Sequence, residues 1–238
     1  MPITTQKASY NEAATISYKK DTDIPISSPN EILMHNDARI ADSLRSMISS
    51  SKSTTYVEGR YQSRVSSEVI FINGELERIR VVESTGCGIR VLVDGCWGFS
   101  STSNVSDADL KESLREAISA AHILAQIKKN KVKGLAQSKM VTGTFRTTPN
   151  SNDLSDIGIE RKVQVAREGE KAARSNRAVK SASCIYRDML DHKVVVNSDG
   201  ANVEIYDSKP EFSVTAIAKK GDQSATAHEG VGVTGAWD

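Results

Sequence analysis

Two dipeptides constrain the fold before anything else does. Asn73-Gly74 and Asp94-Gly95 each stand between β-rich runs. A two-residue type I′ turn needs positive φ at both central positions, which Asn, Asp and Gly tolerate best. Each dipeptide therefore predicts a tight hairpin. Val65, Val69, Phe71, Leu76, Ile79 and Val81 are set among charged and hydroxyl residues, the near-period-two pattern of strands with one wet face. Gly88-Ile89-Arg90-Val91-Leu92-Val93 is almost continuously apolar, as a buried central strand would be. Trp97 and Phe99 alternate with Gly98, which puts two large rings on one side of an extended segment. Arg90, inside that apolar strand, must reach a carboxylate or a backbone oxygen if it is buried. Glu83 and Asp94 are the nearest acids in sequence.

Helical periodicity occupies three separate places. The first runs from about Asp37 to Ser50, with Ile40, Ala41, Leu44, Met47 and Ile48 on one face. The clearest runs from Asp107 to about Lys128, where Leu110, Leu114, Ala117, Ile118, Ala121, Leu124 and Ala125 step by three and four. Ser106 with Asp109 resembles a capping box at its start. The third runs from about Ser155 to Ser175, weakened by Gly169.

One short strand is expected near Met140–Phe145, and from Ala178 onward the pattern is strand again. The runs are Ser181–Tyr186, Lys193–Asn197, Asn202–Tyr206, Glu211–Lys219 and Ser224–Val231. Turns are expected at Asp191-His192, Asp199-Gly200 and Gly221-Asp222. Strands thus come in groups before and after the helices. The fold class is α+β, with a mixed, largely antiparallel sheet and three main helices, rather than a βαβ ladder.

Three regions are expected along the chain. Residues 1–30 form a polar lead-in too poor in apolar residues to order itself. Residues 31–221 form one α+β domain. Residues 222–238 form a Gly-rich strand or linker. The 238 residues carry a net charge of +1, which leaves no electrostatic footprint for nucleic acid. No apolar run approaches a membrane span, and the N-terminus lacks the apolar core of a signal peptide. Cys87, Cys96 and Cys184 are sparse and lack metal-type spacing. They fit reduced thiols in the cytoplasm, with a Cys87–Cys96 bridge across the hairpin as the alternative.

Few residues invite a catalytic reading. His228-Glu229 opens like a zinc-peptidase motif, but Gly232 and Val233 stand where a second His would be needed. Gly230 to Gly235 spells G-x-G-x-x-G without the helix or downstream acid that a dinucleotide site requires. His35, His122 and His192 share no spacing, and His122 reads as a boundary residue of its helix. Asp188, Asp191 and Asp199 read as turn residues. No residue of this chain is assigned to catalysis or to a metal.

The stretch Ser84-x-Gly86-x-Gly88-x-Arg90-Val91-Leu92-x-Asp94-Gly95-x-Trp97-Gly98-Phe99-x-Ser101-Thr102, preceded by Asn73-Gly74-Glu75-Leu76-Glu77, resembles the N-terminal domain of the TldD/PmbA family. Ser100 stands where that pattern has Ala. Val195 to Gly200 and Phe212 to Ala218 resemble its later strands. The family was first described as modulators of DNA gyrase and comprises metallopeptidases and their non-catalytic paralogues. The resemblance implies the N-terminal half of a zinc metallopeptidase acting on small or unfolded peptides inside a chamber between two subunits. This half would supply scaffold, chamber wall and dimer surface. Zinc would sit in a C-terminal catalytic domain beyond Asp238. Gly86, Gly88, Arg90, Asp94, Gly95, Trp97, Gly98 and Phe99 would be structural or chamber-lining. The partner would be a TldD/PmbA-type subunit in a homo- or heterodimer. The alternative is a PmbA-type non-catalytic subunit that pairs with a catalytic relative.

Overall fold

A computed structural model describes residues 39–51, 54–147 and 154–236. The lead-in expected over residues 1–30 lies outside them. Four long strands carry the architecture. They are β1 (Tyr56–Ile72), β2 (Glu75–Val93), β5 (Val179–Asn197) and β6 (Asn202–Lys220). Three shorter ones complete the sheet: β3 (Cys96–Thr102), β4 (Thr142–Arg146) and β7 (Gln223–Gly232). The order is β3-β2-β1-β5-β6, and β6 then divides its outer edge between β4 and β7. Among the described residues only β4 is parallel to its neighbour, and every other pairing is antiparallel.

Both predicted hairpins close as their dipeptides require. Asn73 and Gly74 take φ of 52° and 88°, and Asp94 and Gly95 take 48° and 75°. These are the paired positive values of a type I′ turn, whose twist matches that of the flanking strands.

Among the described residues the helices are α1 (Ile40–Ser49), α2 (Asp107–Ile127) and α3 (Ile159–Ala173), the last preceded by a 3₁₀ turn at Leu154–Asp156. The predicted cap of α2 is present, with Ser106 Oγ accepting from the Asp109 backbone N–H at 3.2 Å. All three helices cover one face of the sheet. Leu44 and Met47 of α1 and Leu110, Ala117 and Ala121 of α2 bury Val57, Tyr61, Ile89, Val91 and Val194. At the far end of the same strands, Ala166 of α3 covers Val69, Phe71, Cys184 and Tyr186. The odd-numbered residues of β1 thus supply both cores, as a period of two demands.

Two expectations fail on β5 and β6. Each is one continuous strand where two were expected, and Asp191-His192 is no turn. Both residues are buried in the middle of β5, one on each face. His192 stacks on Tyr206 at 4.4 Å between ring centroids, and Asp191 meets cations. Aspartate reads as a turn former locally, but partners more than a hundred residues away override that preference here. The expected strand at Met140 begins instead at Thr142.

Candidate functional site

The face opposite the helices carries the alternate residues of the same strands. On β1 these are Tyr56, Glu58, Arg60, Gln62, Arg64, Ser66 and Glu68. The register sets Glu58 beside Arg90 of β2 and Asn197 of β5, and sets Arg64 beside Ser84 and Asp191. A charged lattice results, with carboxylates lying deep and guanidinium groups above them.

Glu58 is one of the two deep carboxylates, 6 % exposed. It accepts from Arg60 Nε at 2.7 Å and from the Tyr56 hydroxyl at 2.8 Å, and lies 3.2 Å from Arg90 Nη2. Burial raises its pKa, but the Arg60 and Tyr56 hydrogen bonds and the two guanidinium charges outweigh that and hold it below the ordinary value.

Asp191 is the other, 2 % exposed. Arg64 donates to both its oxygens, at 2.6 Å from Nε and 2.9 Å from Nη2. Gln62 adds a third donor at 2.9 Å, and Lys193 Nζ stands 3.1 Å away. Burial opposes ionisation, but Arg64, Gln62 and Lys193 prevail and lower the pKa to about 2. Lys193 also donates to Asp207 at 2.7 Å, which carries the lattice on to β6.

Five of the eight signature residues gather on this open face. Gly86 and Gly88 lie opposite Gln62 and Arg60. The Phe99 ring leans across Gly88, where a Cβ would stand 3.2 Å from Cε2. Phe99 is 63 % exposed. Trp97, expected as structural or chamber-lining, is half-buried and meets the Tyr56 ring edge-on at 5.9 Å. The Arg90 guanidinium lies 4.8 Å from the Trp97 ring centroid. Its carboxylate is Glu58 rather than Glu83 or Asp94.

The other three signature residues hold structure. Asp94 and Gly95 form the turn. Asp94 Oδ2 lies 3.3 Å from His122 Nδ1 on α2, and the Gly95 carbonyl accepts from Val132 N at 2.8 Å. Gly98 faces α2 at backbone distance.

Two shallow troughs mark the open face. One, of about 570 Å³, runs over Gly86 and Gly88 between Arg60, Gln62 and Arg64 on one side and Phe99 and Ser101 on the other. The second, of about 640 Å³, lies among Glu68, Arg80, Arg187, Met189, Lys209 and Glu211. Glu58, Arg60, Arg64 and Asp191 were missed as site residues by the sequence reading. The alternating polar positions of Tyr56 to Arg64 were the available signal for three of them. Nothing local marks Asp191.

The helix side holds a separate buried cluster. Lys162 Nζ of α3 is 2.5 Å from Asp188 Oδ2, and both side chains are almost fully enclosed. Tyr186 donates to Asp188 at 2.7 Å, and the Ser67 N–H donates at 3.2 Å. Asp188, read as a turn residue, lies inside the second core beside Lys162.

The zinc implied by the family resemblance does not fit these residues. Among the described residues no three His, Cys, Asp or Glu side chains are grouped to hold a metal ion. His228 Nδ1 lies 2.9 Å from Thr215 Oγ1 on the neighbouring strand. All three cysteines are free and buried. The register sets Cys87 opposite Thr102 and Cys96 opposite Val93, at the two ends of the β2–β3 pairing, so a bridge between them is excluded. Burial pushes the Cys87 thiol up to about 12 and the Cys184 thiol, beside Glu170, up to about 11. No helix among the described residues is long and apolar enough to cross a membrane.

Comparison with known proteins agrees with the strand signature. Residues 57–125 match the PmbA/TldA metallopeptidase domain 1, and residues 152–238 match the central domain of the same family. A metalloprotease of Methanothermobacter thermautotrophicus is 26 % identical over 183 residues, which is 77 % of this chain and 38 % of that protein. A metalloprotease of Methanocaldococcus jannaschii is 23 % identical over 149 residues, 63 % of this chain and 32 % of that protein. The chain thus spans well under half the length of these curated relatives. A proposed modulator of DNA gyrase from Bacteroides thetaiotaomicron shares the fold with a TM-score of 0.66 at 14 % identity, over 85 % of this chain and 46 % of that one. TldE from Thermococcus kodakarensis does so with a TM-score of 0.62 at 16 % identity, over 80 % of this chain and 42 % of that one. With its first-domain and central-domain matches covering most of the sequence, the chain belongs to the PmbA/TldD metallopeptidase family.

Proposed function

We propose that this chain supplies the scaffold, chamber wall and dimer surface of a TldD/PmbA-type peptidase assembly in the cytoplasm. The substrates are small or unfolded peptides, and the partner is a second TldD/PmbA-type subunit. The observation that supports this reading most is the division of the sheet. One face is closed by three helices, and the other is open, polar and troughed. The signature residues Arg90, Trp97 and Phe99 stand on the open face. A wall needs such a surface, whereas hydrolysis at a metal needs a ligand set that the described residues do not form. The metal-dependent step therefore belongs to groups outside this set.

Elemental analysis and a peptidase assay on the purified chain test the assignment. The expected result is no stoichiometric zinc and no cleavage by the chain alone. Mixing with a catalytic family member should give a complex in analytical ultracentrifugation. One tightly held zinc per chain, or peptide cleavage without a second subunit, would overturn it.

A further inference from the structure

We propose that the trough over Gly86 and Gly88 is a groove for an extended peptide segment bearing carboxylate side chains. This rests on the chamber-wall reading and adds which peptides the wall selects.

The charge of the groove carries the argument. Arg60 and Arg64 line it, and no acidic side chain does. Their counter-charges, Glu58 and Asp191, lie beneath and are 6 % and 2 % exposed. The guanidinium layer above is open, with the Arg60 side chain 63 % exposed and that of Arg64 39 %. Solvent on this strip therefore meets cations. Arg90 adds a further guanidinium above Glu58.

Both arginines are held in place before any ligand arrives. Arg60 spends its Nε on Glu58, and Arg64 spends Nε and Nη2 on Asp191. A guanidinium has five N–H donors, so each keeps donors for a further carboxylate. Fixed donors lose less freedom on binding than mobile ones. Arg60 and Arg64 share a face four residues apart, roughly 13 Å along a strand. Two acids four residues apart in an extended peptide have that same pitch. Glycine at 86 and 88 keeps the floor low beside the arginines. The exposed Phe99 ring on the opposite wall offers an apolar contact for the residues between the acids.

The test uses fluorescence anisotropy of the full chain with three fluorescein-labelled octapeptides. They are identical Ala/Ser sequences with Glu, Gln or Lys at positions two and six. The Glu peptide should bind at least ten-fold more tightly than the Gln peptide, and added salt should erode the difference. Arg60→Gln and Phe99→Ala should each weaken the Glu peptide at least five-fold, while Lys209→Gln in the other trough leaves it unchanged. Phe99 is exposed, so Phe99→Ala keeps the test decisive even if Arg60→Gln fails to fold. Equal binding of the three peptides overturns the inference and leaves the chamber-wall reading standing. So does full displacement of the Glu peptide by an equal concentration of a single-stranded oligonucleotide, which would make the strip a general polyanion surface. If no peptide binds, the inference falls, and the zinc and cleavage measurements judge the chamber reading separately.

Discussion

Gly98 of β3 and Ala117 of α2 meet backbone to backbone. A Cβ on Gly98 would fall onto the Ala117 carbonyl and come within 2.9 Å of the Ala121 nitrogen. The small residues Ala117 and Ala121 are fully buried at this crossing. Helix and strand therefore touch without side chains between them, which fixes how closely α2 lies on the edge of the sheet.

Gly98→Ala should consequently be among the most damaging single-methyl changes in the chain. The clash is with backbone, which cannot swing aside as a side chain does. The expected cost is about 3 kcal/mol, at the upper end for overpacking. Urea unfolding followed by circular dichroism measures it. A midpoint within error of the parent would mean that α2 moves freely on the sheet.

The Lys162–Asp188 pair makes a non-additive prediction. Removing one member leaves a buried charge without its partner, at about 3–5 kcal/mol. Lys162→Met alone should show that loss. Adding Asp188→Asn should recover much of it, because the amide oxygen still accepts from the Ser67 N–H while the amide NH2, standing where Oδ2 was, can donate to the Tyr186 hydroxyl. A double-mutant cycle reads the coupling. Additive losses would refute a tight pair.

Asp191 sets an acid limit on stability. Its folded pKa of about 2 lies below the usual carboxylate value. A depressed folded pKa stabilises the fold at pH values above the unfolded pKa. That stabilisation fades as pH falls from about 4 towards 2, by on the order of 2 kcal/mol for this one group. Arg64→Gln should flatten this part of the stability profile as well as lowering it. An unchanged slope between pH 4 and 2 would show that Asp191 does not carry the effect.

Cys87 and Cys184 should behave as buried, neutral thiols. With Cys87 raised to about 12 and Cys184 to about 11, little thiolate is present at pH 8. A thiol reagent should label the native chain slowly and find all three thiols once it unfolds. Because these groups prefer to stay protonated in the fold, stability should decline as pH rises above about 8.5, where the unfolded thiols begin to ionise. Rapid native labelling would contradict their burial.

How much of this was legible beforehand varies with the range of the interaction. Asn73-Gly74 and Asp94-Gly95 could be read as turns because positive φ is a property of those residues themselves. Ser106 with Asp109 and the three-and-four steps of α2 were equally local. Asp191-His192 misled, since Asp favours turns only while no better partner is present. Glu83 and Asp94 are the acids nearest to Arg90 in sequence, yet its carboxylate is Glu58 on the adjacent strand. Trp97 was recognisable as part of a signature, but its half-burial against Tyr56 was not.

What the chain determined by itself is the set of pieces: tight hairpins, amphipathic helices, long alternating strands and a family signature. Each follows from residue chemistry acting over a few positions. Tertiary structure alone decided which face of the sheet the helices close, which arginine lies over which carboxylate, and that Gly98 admits a helix while Gly86 and Gly88 floor an open groove. Those outcomes depend on register between strands far apart in sequence, where a shift of one residue would turn every side chain to the opposite face.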